Sequence, residues 1–320
     1  MIIRAVCYEI VLFGLFDPRP AESRQLVASI MSEKQSILVH LDTDPLPSVF
    51  DRVVAVDSGV QHLFSYGGVT PGNVVPLIHG CIFTRGPKDL HKTAIFVGGS
   101  DVAAGEAVLA EIKKHLMPQF GLSVSVMLDS NGANTTAAAA VRAAGNHVNI
   151  LTARTLVLGG TGPVGQRVAR LLAKQGAHVR IGSRQLDRAE AVSTAIKMMI
   201  PGAKTEAVSV SSSSDGPKAL DGCSVVFAAG APGAVLLPKK TRATSSTLRV
   251  CVDLNGVPPS GIEGVELSDK GKERDGLICY GALGVGGAKM RIHRASIAEL
   301  FKRNDAIIDL DAIAEIADKI

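Results

Sequence analysis

No Cys-x-x-Cys pair occurs in the sequence, and none of its five cysteines, Cys7, Cys81, Cys223, Cys251 and Cys279, joins a histidine at zinc-ligand spacing. That argues against a zinc site. An odd, dispersed set reads as free thiols in a reducing cytosol, with Cys223 and Cys251 filling core volume beside strands. The histidines His40, His62, His79 and His293 follow no metal-ligand spacing either, so no metal is expected. Long basic blocks are also missing: the net charge is +4, and the lysines and arginines are scattered. This argues against a nucleic-acid-binding arm, while a mildly positive surface suits an anionic cofactor or substrate.

Nor does the N-terminal region offer a stretch able to cross a bilayer. Residues 5–16 are apolar but interrupted by Glu9 and followed by Asp17-Pro-Arg-Pro20, too short a run to span. A small-residue cleavage site is lacking as well. Residues 1–30 therefore read as an upstream extension outside the fold, with folded sequence starting near Met31, no membrane partner, and a cytoplasmic location. No unit of about 20–50 residues repeats, which excludes a solenoid. The one low-complexity stretch, residues 209–214, is a serine-rich loop.

What the sequence does have is length, glycine and a regular alternation of element types. A chain of 320 residues exceeds one ordinary compact domain, so two are expected. Many of the 33 glycines stand at the ends of apolar runs, where turns and close backbone approaches occur. Strand-like runs at residues 37–41, 52–56, 93–97 and 122–128 are interleaved with helical patterns. Val102, Val108, Ile112 and Leu116 recur near helical spacing, and an alanine-rich helix follows over 134–144. This alternation predicts an α/β fold with a largely parallel sheet. Asp42, Asp57, Asp101 and Asp129 fall at or just past the C-terminal ends of the four runs. Open α/β sheets bind ligands at that edge; the other reading is that these residues cap the following helices.

A second α/β unit starts at Arg154, after a junction at residues 145–149. Amphipathic helices over 292–301 and 309–316 are expected to pack back on the first domain. The expected organisation is an α/β substrate domain over 31–150 and about 288–320, and a Rossmann-type dinucleotide domain over 151–287.

The second unit opens with the strand Leu156-Val-Leu158 and the turn Gly159-Gly-Thr-Gly-Pro-Val-Gly165, which contains Gly160-x-Gly162-x-x-Gly165. A helix with Val164, Val168, Leu171 and Leu172 on one face follows, then Gly176 and a strand over 178–181. This βαβ unit carries its glycines where a dinucleotide needs them. Gly160 is expected to make the tight turn, Gly162 to admit the pyrophosphate to the backbone, and Gly165 to let helix and strand pack closely. The backbone N–H groups of Thr161, Val164 and their neighbours at the helix start favour the anion, and Pro163, which has no N–H, sets the first turn. An NAD site usually places an acid at the end of the second strand; here stand Ser183 and Arg184, which suit the 2′-phosphate of NADP. The loops Ala229-Gly230 and Asn255-Gly256, each after an apolar strand, reach the nicotinamide half in such an architecture.

Longer strings carry a family resemblance. They are His40-Leu-Asp-Thr-Asp-Pro45, Tyr66-Gly-Gly-Val-Thr-Pro71, Thr93-Ala-Ile-Phe-Val-Gly-Gly-Ser-Asp101, Met127-Leu-Asp-Ser-Asn-Gly-Ala-Asn-Thr-Thr136, the glycine turn, and Gly281-Ala-Leu-Gly-Val-Gly-Gly-Ala-Lys289. In order and spacing the chain resembles the bacterial methylene-tetrahydromethanopterin dehydrogenases from about Ser36 to its end. The resemblance implies a substrate domain joined to an NADP-binding Rossmann domain, with the active site in the cleft. It implies oxidation of the methylene bridge of a reduced pterin to methenyl in one-carbon metabolism. NADP is the expected cofactor; some members also take NAD, and some relatives act on the folate carrier. It further implies a homo-oligomer, a trimer, and places the family's active-site lysine at Lys289.

The chemistry needs no acid–base pair, because a hydride leaves and a resonance-stabilised cation remains. Asp42 and Asp129 are then candidates to stabilise that charge or to bind the pterin, alongside Lys289. Asp101, Asn131, Asn134 and Thr135 are candidate substrate contacts. Three other readings stay open. A shikimate-type dehydrogenase shares the two-domain plan, and Val69-Thr-Pro71 is similar to its substrate loop, but that loop's lysine is absent. A methylene-tetrahydrofolate dehydrogenase uses the same hydride chemistry, but its Tyr-x-x-x-Lys is missing from the expected helix. A non-catalytic NADP sensor would leave the aspartates and Lys289 idle.

Overall fold

The computed structural model describes residues 34–320. The expected extension at 1–30, the start near Met31 and Cys7 lie outside the described residues. Along the chain run β1 (Ile37–Asp42), α1 (Val49–Asp57), β2 (His62–Tyr66), α2 (Val75–Phe83), β3 (Thr93–Gly98), α3 (Val102–His115), β4 (Ser125–Leu128) and α4 (Ala133–Gly145). There follow β5 (Arg154–Leu158), α5 (Pro163–Lys174), β6 (His178–Ser183), α6 (Leu186–Met199), β7 (Lys204–Ser209), β8 (Val225–Ala228) and β9 (Val250–Asp253). The chain closes with β10 (Lys270–Arg274), β11 (Leu277–Tyr280), α7 (Ala282–Glu299), β12 (Ile307–Ile308) and α8 (Leu310–Lys319).

Two sheets result. The first has the order β12-β4-β3-β1-β2 and is parallel throughout. The second has the order β10-β11-β9-β8-β5-β6-β7, parallel except for the β10–β11 hairpin at one edge. Read from β7, its strands follow the three-two-one-four-five-six sequence of a dinucleotide-binding sheet. Strands β3, β4, β8 and β9 are buried along their whole length. Parallel strands covered on both faces require this, and it explains why they read as continuous apolar runs.

Residues 307–308 bring the C-terminal segment back to the first sheet beside β4. The helix α4 packs against α5, α7 and α8 and also touches β9. Its buried face is Ala137 to Ala140 with Val141 and Ala144, and such small side chains let four elements approach it closely.

The strand expected at 52–56 is a correction: these residues belong to α1. The Ser48 hydroxyl accepts the Asp51 N–H at 3.2 Å and starts the helix. Val54 and Ala55 face the core while Phe50, Val53 and Val56 are exposed, a one-sided helical face. Asp57 accordingly closes a helix and does not stand at a strand end. The strand beside β1 is β2, whose residues alternate between exposed and half-buried. The strand expected over 122–128 is confined to Ser125–Leu128.

The final long helix begins at Ala282, ten residues before the expected 292. Its glycines accommodate backbone: a Cβ on Gly284 would fall 1.8 Å from the Asp269 carbonyl oxygen. Close packing thus overrides the weak helix propensity of a glycine-rich string.

Candidate active site

The glycine turn joins β5 to α5. Gly159 takes the left-handed φ of 70°, one residue earlier than the sequence reading assigns the tight turn. A Cβ there would lie 2.5 Å from the Gly230 backbone, so the loops after β5 and β8 touch. Gly160 is held against β6, donating its N–H to the Gly182 carbonyl at 3.1 Å, with no room for a side chain beside Ile181 and the Val157 carbonyl. Gly165 lies against the turn itself: its Cβ would fall 2.3 Å from the Gly159 carbonyl oxygen. Gly162 is the N-cap of α5, Pro163 follows at the first turn, and no side chain caps the helix. The first-turn N–H groups therefore remain available to an anion.

At the end of β6, Ser183 is buried and its hydroxyl accepts the Gln185 N–H at 3.1 Å. Arg184 is exposed and makes no ion pair or hydrogen bond among the described residues. No carboxylate occupies the end of β6, while a guanidinium stands free there. Of the nicotinamide-side candidates, Ala229 donates its N–H to the Leu158 carbonyl at 2.9 Å, and Gly230 backs onto Leu236. Asn255 is buried and fully engaged. Its amide donates to the Pro259 carbonyl at 3.0 Å and its oxygen accepts the Val257 N–H at 3.0 Å, so it shapes the loop after β9.

Facing the turn is a cavity of 480 Å³, with Thr161, Pro163 and Gln166 on one side and Ser100, Asp101 and Ala103 on the other. Arg167 also lines it. Its guanidinium donates to Asn134 Oδ1 at 2.6 Å, to the Pro163 carbonyl at 3.0 Å and to Glu106 at 2.7 Å, tying α5 to α4 and α3.

The second cluster gathers at the C-terminal ends of β1, β3 and β4. Asp42 is fully buried, and its two oxygens accept the N–H groups of Asp44 at 2.9 Å and Ser48 at 2.8 Å. Asp129 is equally buried. It accepts the N–H groups of Asn134 at 2.9 Å and Thr135 at 3.1 Å, and the Thr135 hydroxyl at 2.6 Å. These two carboxylates are thus committed to holding the loop after β1 and the start of α4. Asn134 and Thr135 are buried within the same network, Asn134 donating its side-chain amide to the Leu128 carbonyl at 2.7 Å. Asp101 caps α3 through the N–H groups of Ala103 and Ala104 and borders the 480 Å³ cavity. Asn131 is exposed at φ 55°, its N–H donating to the Gly99 carbonyl at 2.6 Å.

Lys289 lies on α7, half-buried, with its Nζ 5.0 Å from the centre of the Phe50 ring. A Cβ on Gly132 would fall 2.4 Å from that Nζ, so the glycine makes room for the ammonium. Lys289 carries no ion pair among the described residues. One turn on, His293 is buried, its Nδ1 3.9 Å from an Asp129 oxygen. His40 is buried too, its Nε2 3.4 Å from Asp42. Neither ring makes a hydrogen bond, and both stack near Phe96. Burial pushes His40 down to about 4 and lowers His293 as well, so both are neutral near pH 7.

Asp51 and Phe50, on α1, enter this cluster and are absent from the sequence-level candidates. The Ser48-x-x-Asp51 pattern, a helix-start signature, is the signal that would have placed them. Asp51 is half-buried, and burial foremost pushes its carboxyl up to about 6. The Ser48 hydroxyl and Lys289 draw it down, while Asp129 and Asp42 push it up. Ligand atoms of His40, Asp42 and Asp51 lie within 4.8 Å of one another. Both Asp42 oxygens already accept backbone hydrogen bonds, which weighs against a metal centre.

A glycine turn of this geometry on a three-two-one-four-five-six sheet, facing a cleft at the ends of a second parallel sheet, defines a nicotinamide-nucleotide-linked dehydrogenase fold. Residues 159–256 match the NAD(P)H-binding family, and residues 49–131 match the N-terminal family of methylene-tetrahydromethanopterin dehydrogenase. The bifunctional protein MdtA of Methylorubrum extorquens is 45% identical over 291 residues, covering 90% of this chain and 99% of that protein. The NAD(P)-dependent methylenetetrahydromethanopterin dehydrogenase of the same organism is 30% identical over 251 residues, covering 76% of this chain and 84% of that protein. The chain belongs to the methylene-tetrahydromethanopterin dehydrogenase family and is an NAD(P)-linked oxidoreductase. Shikimate 5-dehydrogenase from Listeria monocytogenes shares the fold, with a TM-score of 0.54 at 14% identity over 95% of this chain and 99% of that one. So does 5-ketofructose reductase of Gluconobacter, with a TM-score of 0.51 at 14% identity over 89% and 99%. At such identity they speak to fold alone. No helix among the described residues is long and apolar enough to cross a membrane.

Proposed function

We propose that the protein oxidises methylene-tetrahydromethanopterin to methenyl-tetrahydromethanopterin, with NADP as the preferred hydride acceptor and NAD as a poorer one. The observation that carries this reading is the 480 Å³ cavity that the nucleotide turn, through Thr161 and Pro163, shares with Ser100 and Asp101 at the end of the first sheet. Bound NADP supplies the hydride acceptor. Residues 160–165 bind its pyrophosphate, and Ser183 and Arg184 its 2′-phosphate. Ala229, Gly230 and the loop shaped by Asn255 hold the nicotinamide end.

The pterin is oriented by the half-buried Lys289 together with the exposed Asn131 and Asp101. Asp42, Asp129, Asn134 and Thr135 support them from beneath. Hydride loss leaves a cation and no proton to transfer, so positioning and electrostatics supply the rate. On this reading residues 31–150 and about 288–320 form the pterin half and 151–287 the nucleotide half. The protein works in the cytoplasm as a homo-oligomer, a trimer.

The test is a steady-state assay of reduced-nicotinamide absorbance that crosses the methanopterin and folate carriers with both nucleotides. Turnover with the methanopterin carrier and NADP should exceed every other combination. Higher turnover with the folate carrier would move the substrate, and none in any combination would leave an NADP-binding protein without this activity.

A further inference from the structure

We propose that Asp51 is the carboxylate that stabilises the positive charge left on the one-carbon unit; this rests on the reaction proposed above. Three carboxylates meet at the ends of the first sheet, and they differ in what already occupies them. Asp42 and Asp129 spend their oxygens on backbone N–H groups and the Thr135 hydroxyl. Asp51 has the Ser48 hydroxyl for company and is half-buried, so its charge is desolvated yet reachable.

The surroundings suit a cation. Gly98 lets the His40 ring and Asp51 close in on one spot: a Cβ there would come 3.5 Å from Asp51 Oδ2 and 2.7 Å from His40 Nε2, a buried nitrogen with no hydrogen-bond partner. Phe50, the neighbouring residue on α1, offers a ring face that already carries the Lys289 ammonium at 5.0 Å. The charged and titratable groups facing Asp51 are Asp42 and His40 from β1, Asp129 from the end of β4, and Lys289 from α7. His293 of α7 and Arg52 of α1 lie in the same cluster. His40 and His293 are neutral, so Lys289 and Arg52 are the fixed cations set against three acids.

The substrate is neutral at the bridge carbon and the product is cationic. The C–H bond breaks, its electron pair leaves as hydride to the nicotinamide, and the two flanking nitrogens share the remaining charge. No proton moves. An ionised carboxylate beside that carbon favours the product-like transition state over the neutral substrate, which is the condition for raising kcat rather than lowering KM.

The experiment compares wild type with Asp51→Asn and Asp51→Glu, measuring kcat, KM, the pH profile of kcat/KM, and equilibrium binding of the methylene and methenyl carriers. The expected result is a kcat about a hundredfold lower in Asp51→Asn with KM for the methylene carrier changed less than about threefold. The methenyl carrier should bind at least about tenfold more weakly, and Asp51→Glu should recover part of both losses. Wild-type kcat/KM should rise with pH through about 6, and the rise should vanish in Asp51→Asn.

Equal loss of affinity for both carriers would show a structural or neutral binding role and overturn the proposal. So would unchanged kcat, or wild-type activity that a chelator abolishes and a divalent metal restores. If wild type binds the methenyl carrier through Asp51 but turns over no carrier, the reaction fails and the cation site stands. If turnover is normal and Asp51→Asn is silent, the reverse holds.

Discussion

Replacing Gly165 with alanine tests whether the nucleotide lies on the β5–α5 turn. The new Cβ would sit 2.3 Å from the Gly159 carbonyl oxygen and 2.8 Å from Gly160 Cα, both backbone atoms that cannot swing aside. An ordinary carbon–oxygen contact is longer by about 1 Å, so the start of α5 must retreat from the turn by about that much. Overpacking of this kind costs about 1–3 kcal/mol of stability. The same shift draws the helix N–H groups away from the pyrophosphate, and about 1.4–2.8 kcal/mol lost there raises the NADP Kd about 10- to 100-fold. Thermal unfolding and a fluorescence titration with NADP read the two effects. Gly80→Ala is the matched control. Gly80 is exposed within α2 with nothing within 4 Å of a built Cβ, so alanine should add about 0.5–1 kcal/mol and leave NADP affinity unchanged. A Gly165→Ala protein that unfolds and binds NADP like wild type would refute the close packing and the site built on it.

Arg184→Ala should weaken NADP about 10-fold or more and leave NAD nearly unaffected in parallel titrations; equal losses would mean that the side chain does not meet the 2′-phosphate. Lys289→Met, which keeps an apolar stem over Phe50, should lower kcat about 10-fold or more with NADP affinity intact, and wild-type turnover would remove the ammonium from the site. A third prediction concerns stability against pH. His40 has a folded pKa below its unfolded value of 6.5, so its contribution is lost as pH falls from 6.5 toward about 4. Asp51 has a folded pKa raised from 3.8 to about 6, so its contribution is fully present below 3.8 and is lost as pH rises through about 6. The two trends oppose each other over the same window. Chemical denaturation should therefore find Asp51→Asn falling more steeply in stability than wild type between pH 6.5 and about 4; parallel curves would contradict the pairing.

The nucleotide half was legible where burial is two-sided. The run at 225–228 is a strand to the residue, because a strand covered on both faces must be apolar throughout and is bounded by turn residues. The first half was harder. The apolar run Val53-Val-Ala-Val56 resembles a strand locally, and only the capping geometry at Ser48 and Asp51 shows a helix. Misreading it hid Asp51, whose role depends on which carboxylates the backbone has already claimed. That distinction is invisible in sequence: Asp42 and Asp129 are exhausted by N–H groups up to six residues away, brought round by turns. Lys289 could be picked out by resemblance, but its setting could not. A glycine-rich string reads as loop until the Glu266–Asp269 backbone is packed against it.

Direct hydride transfer between the two halves of the cleft is most directly tested with a carrier deuterated at the methylene bridge. After a single turnover with NADP, mass spectrometry of the nucleotide should find the deuterium on the reduced nicotinamide ring. Deuterium recovered in solvent, or no reduced nucleotide at all, would contradict the account.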